Sequence, residues 1–158
     1  MIRICFVCHG NICRSPMAEF VMRDMVARHG LSETIAVCSR AESEEEICNG
    51  RGNPVYPPVK ELLLRHGLTC SEKRAQLLAR QDYAESDLVI AMDRHNLRAM
   101  HRLLGGDPQH KFHLLLDYTP TPGDIADPWY SRDFETTWQQ VTAGCAALME
   151  HIKKENAL

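Results

Sequence analysis

Short apolar segments recur along this chain, and segments with helical spacing separate them. The apolar segments are Ile2–Val7, Thr34–Cys38, Leu88–Met92 and Phe112–Leu116, and they are continuous rather than alternating. A strand that is apolar on both sides must be covered on both sides, which is typical of a parallel sheet between helices. We therefore predict an α/β fold in which the ligand crevice lies at the carboxyl ends of the strands.

Helices are expected between and after these strands. The segments that indicate them are Ser15 to Gly30, Pro58 to His66, Asp93 to Leu104 and Asp133 to Ile152. Ser15, Asp93 and Asp133 are expected N-caps, because short polar side chains can bond the first free amides of a helix. Residues 39–57 are rich in Glu, Gly and Pro and have no clear period, so they predict a long loop.

The overall composition limits the class of protein. A chain of 158 residues, 44% of them hydrophobic, suits a single domain over residues 1–158. The net charge is −3 and the chain has no block of Lys or Arg, which argues against a nucleic-acid or membrane-surface partner. Arg3 interrupts the short apolar run near the start, so we expect neither a signal segment nor a membrane span, and a monomer in the cytoplasm.

The cysteines and histidines do not indicate a metal or a disulfide scaffold. Seven cysteines are an odd number in a chain large enough to fold on its core, so we expect reduced thiols. Cys5 and Cys8 form one C-x-x-C pair without a second pair at finger-like spacing, and the eight histidines are scattered. We expect no metal and no cofactor.

The segment Cys8–Ser15 (CHGNICRS) lies between the first strand and the first helix. A turn at this place points backbone amides inward, and the helix start adds partial positive charge, so a phosphate can be held without a basic surface. Gly10 and Asn11 permit such a turn, because both residues adopt positive φ more readily than others. The segment predicts an anion site.

Arg14 follows Cys8 by six positions and can fold back across this turn. Its planar guanidinium can grip two phosphate oxygens, and the positive surroundings favour the nucleophilic thiolate of Cys8. The Ser15 hydroxyl can further stabilise that sulfur. Of the seven cysteines only Cys8 has Arg at this offset, which favours a catalytic role over an ordinary core position.

These segments resemble the low-molecular-weight protein tyrosine phosphatases. The resemblance lies in Val7–Glu19 (VCHGNICRSPMAE), in Leu88–Leu97 (LVIAMDRHNL), and in Asp127–Tyr130 (DPWY) with the DFETTWQQV that follows. It implies a three-layer fold with a four-stranded parallel sheet and helices on both faces. It also implies hydrolysis of phosphotyrosine proteins or small aryl phosphates.

The resemblance assigns roles by matching position. It implies Cys8 as nucleophile, Arg14 as phosphate clamp and Asp127 as general acid and base. The residues that it implies around the substrate are His9, Gly10, Asn11, Ile12, Cys13, Ser15, Trp129 and Tyr130. Ser39 would support Asn11 and Asp93 would pair with Arg14. An acid is also what the chemistry requires, because a phenolate leaves poorly unless its oxygen receives a proton.

Three features depart from the family pattern or extend it. Glu42 and residues 44–46, all Glu, stand where the family usually has an aromatic residue, and Tyr56 is a candidate replacement ring. His9 replaces a commonly apolar residue. Cys13 lies five positions after Cys8 and is expected to trap an oxidised Cys8 as a disulfide.

The same residues bear on other activities that this type of sequence could have. Arsenate reductases of this fold use further cysteines near the third strand, and 81–93 contains none. Protein-arginine phosphatases tend to have Thr where this chain has Ile12, so phosphotyrosine is the expected substrate. A phosphate-binding module without catalysis is the remaining alternative, and turnover of an aryl phosphate distinguishes it.

Overall fold

A four-stranded parallel sheet forms the centre of the molecule. The computed structural model describes residues 1–70 and 72–158. In chain order its elements are β1 (Ile2–Cys8), α1 (Arg14–Arg28), β2 (Ile35–Ala41), β3 (Ile47–Cys48), β4 (Arg51–Gly52), α2 (Pro57–Arg65), α3 (Arg80–Glu85), β5 (Leu88–Ala91), α4 (Arg94–Leu104), β6 (Phe112–Leu114), α5 (Pro128–Ser131) and α6 (Phe134–Asn156). The strand order of the sheet is β2-β1-β5-β6, and the predicted four-stranded parallel sheet is confirmed.

The central strand β1 explains why the apolar segments are continuous. Ile4 and Phe6 face a core that is shared with α1, α2 and α6. Cys5 and Val7 face a second core on the other side, which is shared with α4. Since successive side chains of a strand point to opposite faces, a strand between two cores must be apolar at every position.

Two of the three predicted helix caps are confirmed. The backbone N–H of Asn96 donates to Asp93 Oδ1 at 2.7 Å, and that of Thr136 donates to Asp133 Oδ1 at 3.0 Å. The cap at Ser15 was wrong, because α1 begins at Arg14 and its N-cap position is Cys13. The Ser15 hydroxyl points inward instead, toward the sulfur of Cys8.

The shortest helices and strands were not predicted from the sequence. The helices α3 and α5 span six and four residues, too few to show a helical period. The expected loop at 39–57 was wrong at its start, because β2 extends to Ala41, and it contains the small antiparallel hairpin β3–β4. The strand β6 ends at Leu114 rather than at the predicted Leu116, and a 3₁₀ turn, Leu115–Tyr118, follows it directly. Among the described residues, no helix is both long and apolar enough to cross a bilayer.

Gly144 allows α6 to approach the 3₁₀ turn closely. A Cβ added at this position would lie 2.5 Å from Leu115 Cγ, and Leu115 is fully buried. Helix propensity alone would make Gly144→Ala stabilising by about 0.5–1 kcal/mol, but overpacking of a core costs about 1–3 kcal/mol. We expect the steric clash to outweigh the gain in helix propensity, so that urea unfolding shows a net decrease of about 1–2 kcal/mol in the free energy of unfolding.

The same substitution in a Leu115→Ala background is the control. Removing the Leu115 side chain opens the space that the new methyl group needs, so Gly144→Ala should be neutral or stabilising there. An equal loss of stability in both backgrounds would show that the close contact is not the cause.

Candidate active site

The Cys8–Ser15 loop connects the carboxyl end of β1 to the start of α1. Asn11 has a φ of 58°, so it supplies the positive dihedral that the turn requires. Gly10 serves a different purpose, because a Cβ there would lie 2.9 Å from Glu46 Cγ. Asn11 therefore sets the shape of the loop. Gly10 makes room for the neighbouring acidic segment, which contains Glu42, Glu44, Glu45 and Glu46.

Asn11 is the centre of a buried polar network. Its side-chain nitrogen donates to the hydroxyls of Ser15 at 2.8 Å and Ser39 at 2.9 Å. Its oxygen accepts from the backbone N–H of Gln76 at 3.1 Å. Ser39 in turn donates to Glu19 Oε2 at 2.5 Å. These bonds satisfy both ends of the Asn11 amide and hold the strained loop in one conformation.

Glu19 and Lys73 complete this network, and the sequence did not reveal either of them. Glu19 is buried in α1 and forms ion pairs with Lys73 at 3.3 Å and Arg23 at 2.6 Å. Burial lowers the pKa of Lys73, and the nearby Glu19 only partly opposes that effect. Glu19 is the last residue of the Val7–Glu19 segment, but Ser39 and Lys73, which connect it to the network, lie far away in sequence and carry no local signal.

The sulfur of Cys8 lies against the hydroxyl of Ser15. The two atoms are 3.0 Å apart, and Cys8 is 3% exposed. Because Ser15 Oγ already accepts a hydrogen bond from Asn11, its own hydrogen can point toward the sulfur. The arrangement can stabilise negative charge on Cys8.

Arg14 is buried, at 2% exposed, and its orientation is fixed by three bonds. Nη1 donates to Asp93 Oδ2 at 2.6 Å and to the carbonyl oxygen of Ile125 at 2.8 Å. Nη2 lies 3.4 Å from Asp127 Oδ2. The two hydrogens of Nη1 are thus engaged, which leaves the Nε–Nη2 edge for two oxygens of a ligand.

The charge of Arg14 is secured by its neighbours. Burial alone would lower the pKa of this side chain, but Cys8, Asp93 and Asp127 outweigh that effect and raise it above its ordinary value. The guanidinium therefore remains cationic in the protein interior.

Asp127 is held by the helix that it starts. It is the N-cap of α5, and its Oδ1 accepts the backbone N–H of Trp129 at 3.0 Å. Its Oδ2 faces Arg14 and the pocket. The cap therefore fixes the carboxyl group while one oxygen stays available for proton transfer.

One pocket unites most of the residues that the sequence singled out. Nine of the thirteen predicted site residues line it: Cys8, His9, Gly10, Ile12, Cys13, Arg14, Asp127, Trp129 and Tyr130. The other four, Asn11, Ser15, Ser39 and Asp93, lie behind the lining and hold it through the bonds described above. Glu45 and Glu46 also line the pocket, so the acidic segment does border the cleft.

Aromatic side chains form one wall of the pocket mouth. Trp129 is 46% exposed and Tyr130 is 82% exposed. Tyr56 packs behind this wall, with its ring centroid 4.9 Å from that of Trp129, and its hydroxyl accepts a bond from Arg132 at 3.0 Å. Tyr56 supports Trp129 rather than lining the pocket.

His9 lies on the opposite, acidic side of the mouth. Its Nδ1 lies 2.8 Å from Glu42 Oε1, and its Nε2 lies 2.9 Å from Glu45 Oε2. Partial burial opposes the protonated form, but the hydrogen bonds to Glu45 and Glu42 raise the pKa of His9 above its ordinary value. His9, which follows Cys8 in sequence, is therefore anchored to Glu42 and Glu45.

Cys13 also lines the pocket as a free thiol. Burial, followed by the nearby Cys8 and Asp127, raises the pKa of the Cys13 thiol far above its ordinary value. Cys13 is thus kept protonated while Cys8 contacts Ser15. The disulfide between Cys8 and Cys13 stays a prediction.

Comparison with known proteins identifies the family. The chain matches the family model of the low molecular weight phosphotyrosine protein phosphatases over residues 3–158. The low molecular weight protein-tyrosine-phosphatase YfkJ of Bacillus subtilis is 36% identical over 160 residues, covering 100% of both chains. The human low molecular weight phosphotyrosine protein phosphatase is 38% identical over 152 residues, covering 93% of each. The crystal structure of YfkJ matches with a TM-score of 0.92 over 98% of this chain and 96% of that one. The chain therefore belongs to the low molecular weight protein-tyrosine-phosphatase family.

Proposed function

We propose that this enzyme hydrolyses phosphotyrosine and aryl phosphate monoesters through a phosphate ester of Cys8. The observation that carries this proposal is that a nucleophile, a cationic clamp and a carboxyl group line one pocket: Cys8, Arg14 and Asp127. The three groups have the chemistry that phosphate transfer to sulfur requires.

Substrate binding uses fixed positive groups. The backbone amides of the Cys8–Ser15 loop, the start of α1 and the Nε–Nη2 edge of Arg14 surround the phosphate oxygens. Asp93 and the carbonyl of Ile125 keep the guanidinium in place while the ligand enters. Because these groups are already oriented, little energy is lost in arranging them around the transition state.

The first chemical step transfers the phosphoryl group to sulfur. Cys8 Sγ attacks phosphorus, an S–P bond forms, and the bond from phosphorus to the tyrosyl oxygen breaks. Asp127 gives its proton to that oxygen, so the tyrosine leaves as a neutral phenol. The N-cap bond to Trp129 supports this role, because it holds the carboxyl group at the pocket.

The second step releases phosphate. A water molecule attacks phosphorus, Asp127 takes a proton from that water, and the S–P bond breaks. The electron pair returns to Cys8 as a thiolate, which the Ser15 hydroxyl stabilises at 3.0 Å. Phosphate then leaves, and the enzyme returns to its starting state.

The partners and setting belong to the same proposal. Phosphotyrosine proteins are the proposed substrates, since the aromatic wall of Trp129 and Tyr130 suits a phenyl ring. We propose a monomeric cytoplasmic enzyme without a nucleic-acid or membrane partner. The net charge of −3 argues against a polyanionic partner, and the seven free cysteines suit a reducing compartment. The family match over residues 3–158 supports one catalytic domain.

Removing the nucleophile tests the central claim. Cys8→Ser should lower turnover of phosphotyrosine peptides by about 10⁴-fold or more, because the essential nucleophile is lost. The unmodified enzyme should keep its activity in excess chelator and should prefer phosphotyrosine to phosphoserine and phosphoarginine peptides. An absence of turnover in the unmodified chain would favour a binding module. A preference for phosphoarginine peptides would show that the substrate class is phosphoarginine and not phosphotyrosine.

The role of Asp127 predicts a dependence on the leaving group. Asp127→Ala should lower phosphotyrosine hydrolysis by about 10²- to 10⁴-fold, which is the usual size of general acid catalysis. The loss should be much smaller with nitrophenyl phosphate, since nitrophenolate leaves without a proton. The measurement is the slope of log rate against leaving-group pKa over a series of aryl phosphates.

Asp124→Ala is the matched control for this experiment. Asp124 lies three residues away, but its carboxylate pairs with Arg94 at 3.2 Å. Its replacement should leave the slope unchanged. A slope that stays the same in Asp127→Ala would remove Asp127 from proton transfer.

The acidic side of the pocket mouth predicts selection by charge. Glu45 and Glu46 line the pocket and should repel acidic residues that flank a phosphotyrosine. Phosphopeptides with basic flanks should be preferred at low salt, and replacing both residues by Gln should reduce the preference by about twofold to fivefold. Glu44→Gln is the control, because Glu44 is exposed and lies outside the lining. Equal kcat/KM for acidic and basic peptides at low salt would exclude this role.

A further inference from the structure

Three side chains with metal-binding chemistry meet beside the active-site pocket. His9, Glu42 and His95 each offer one donor atom, and these atoms lie within 4.8 Å of one another. His9 follows β1, Glu42 follows β2, and His95 lies in the first turn of α4, just after β5. Since β1 pairs with both β2 and β5 in parallel, the three carboxyl ends meet at one edge of the sheet.

The distances suit one small cation. His9 Nδ1 and Glu42 Oε1 are 2.8 Å apart, and the rings of His9 and His95 have centroids 6.3 Å apart. Ligand atoms of a tetrahedral Zn²⁺ ion lie about 3.3 Å from one another, given bonds of roughly 2.0–2.1 Å. Small side-chain rotations therefore suffice to bring all three donors onto one ion.

The surrounding groups already orient two of the three donors. The second ring nitrogen of His9 lies 2.9 Å from a carboxylate oxygen of Glu45. Metal-bound histidines usually donate their other N–H to a carboxylate in this way, which fixes the ring and strengthens the bond to the metal. The side chain of Glu42 is only 3% exposed, and its second oxygen lies 3.5 Å from the side-chain nitrogen of buried Asn96.

We propose that His9, Glu42 and His95 form a binding site for a zinc-type divalent cation at the rim of the active-site pocket, with water in the fourth position. Two imidazoles and one carboxylate are the donor set that such ions prefer, whereas Mg²⁺ prefers oxygen alone. The acidic side chains of Glu44, Glu45 and Glu46 add attraction for a cation.

An ordinary ion pair between His9 and Glu42 is the competing explanation. It does not need His95, which lies on another element, so the contribution of His95 separates the two explanations. The proposal does not depend on phosphatase activity, because the ion takes no part in the proposed reaction. Positions 9, 42 and 95 have no metal-like spacing, so the sequence alone does not indicate this cluster.

Calorimetric titration with zinc chloride in a buffer that does not coordinate metals tests the site. The Cys8→Ser protein is used, so that the nucleophile cannot bind the ion. We expect one Zn²⁺ per chain, a loss of affinity of about tenfold or more in His95→Ala and in Glu42→Gln, and a change within about twofold in the control His101→Ala. His101 is an exposed histidine of the same helix, outside the cluster.

Cobalt absorption of the unmodified chain provides a second measurement that needs no variant. Co²⁺ bound by histidine and carboxylate should give visible ligand-field bands without the intense charge-transfer band of a cobalt thiolate. These bands should disappear in His95→Ala and persist in His101→Ala. Equal zinc affinity in all variants, an absence of saturable binding, or a cobalt spectrum dominated by thiolate would each overturn the proposal.

Discussion

The buried guanidinium of Arg14 is the interaction on which the arrangement of the site depends. Its Nη1 atom binds Asp93, which caps α4, and the carbonyl oxygen of Ile125, while Nη2 faces Asp127. A buried charge is costly unless it is paired, so these bonds are needed to keep the arginine in place. The Arg14 side chain thereby connects the start of α1 to the start of α4 and to the segment that contains Ile125 and Asp127. Cys8 and Asp127 are thereby held in the lining of one pocket.

A second buried network supports the other half of the loop. Asn11 adopts positive φ, which is unfavourable for most residues, and its amide is satisfied by Ser15, Ser39 and the backbone of Gln76. Glu19 ends this chain of bonds and is itself paired with basic side chains. Such a network is stable only when every member is satisfied, so the loop has one preferred conformation. Within the loop the positive φ is confined to Asn11, and the packed core between α1 and β2 holds the loop in this conformation.

The charges of the site are arranged by depth. The positive groups of the pocket are the buried guanidinium of Arg14 and the backbone amides of the Cys8–Ser15 loop. The mouth is acidic on the side of Glu45 and Glu46 and aromatic on the side of Trp129 and Tyr130. A chain with a net charge of −3 can therefore bind an anion, because the attraction comes from a few oriented groups rather than from the surface as a whole. In the functions proposed above, the acidic rim selects among substrates and cations, and the buried groups carry out the chemistry.

The sequence by itself determined the features that depend on neighbouring residues. The sheet strands follow from continuous apolar runs, the caps at Asp93 and Asp133 from local hydrogen bonds, and the anion loop from the spacing of Cys8 and Arg14. Local pattern failed where a residue has a distant partner. Ser15 contacts Cys8 instead of capping α1, and the short helix α5 has too few residues to show a period. Only the tertiary structure placed Lys73 beside Glu19, moved Tyr56 behind Trp129, and brought His95 to His9 and Glu42. The physical reason is the parallel sheet, because its strands carry residues that are far apart in sequence to one common edge.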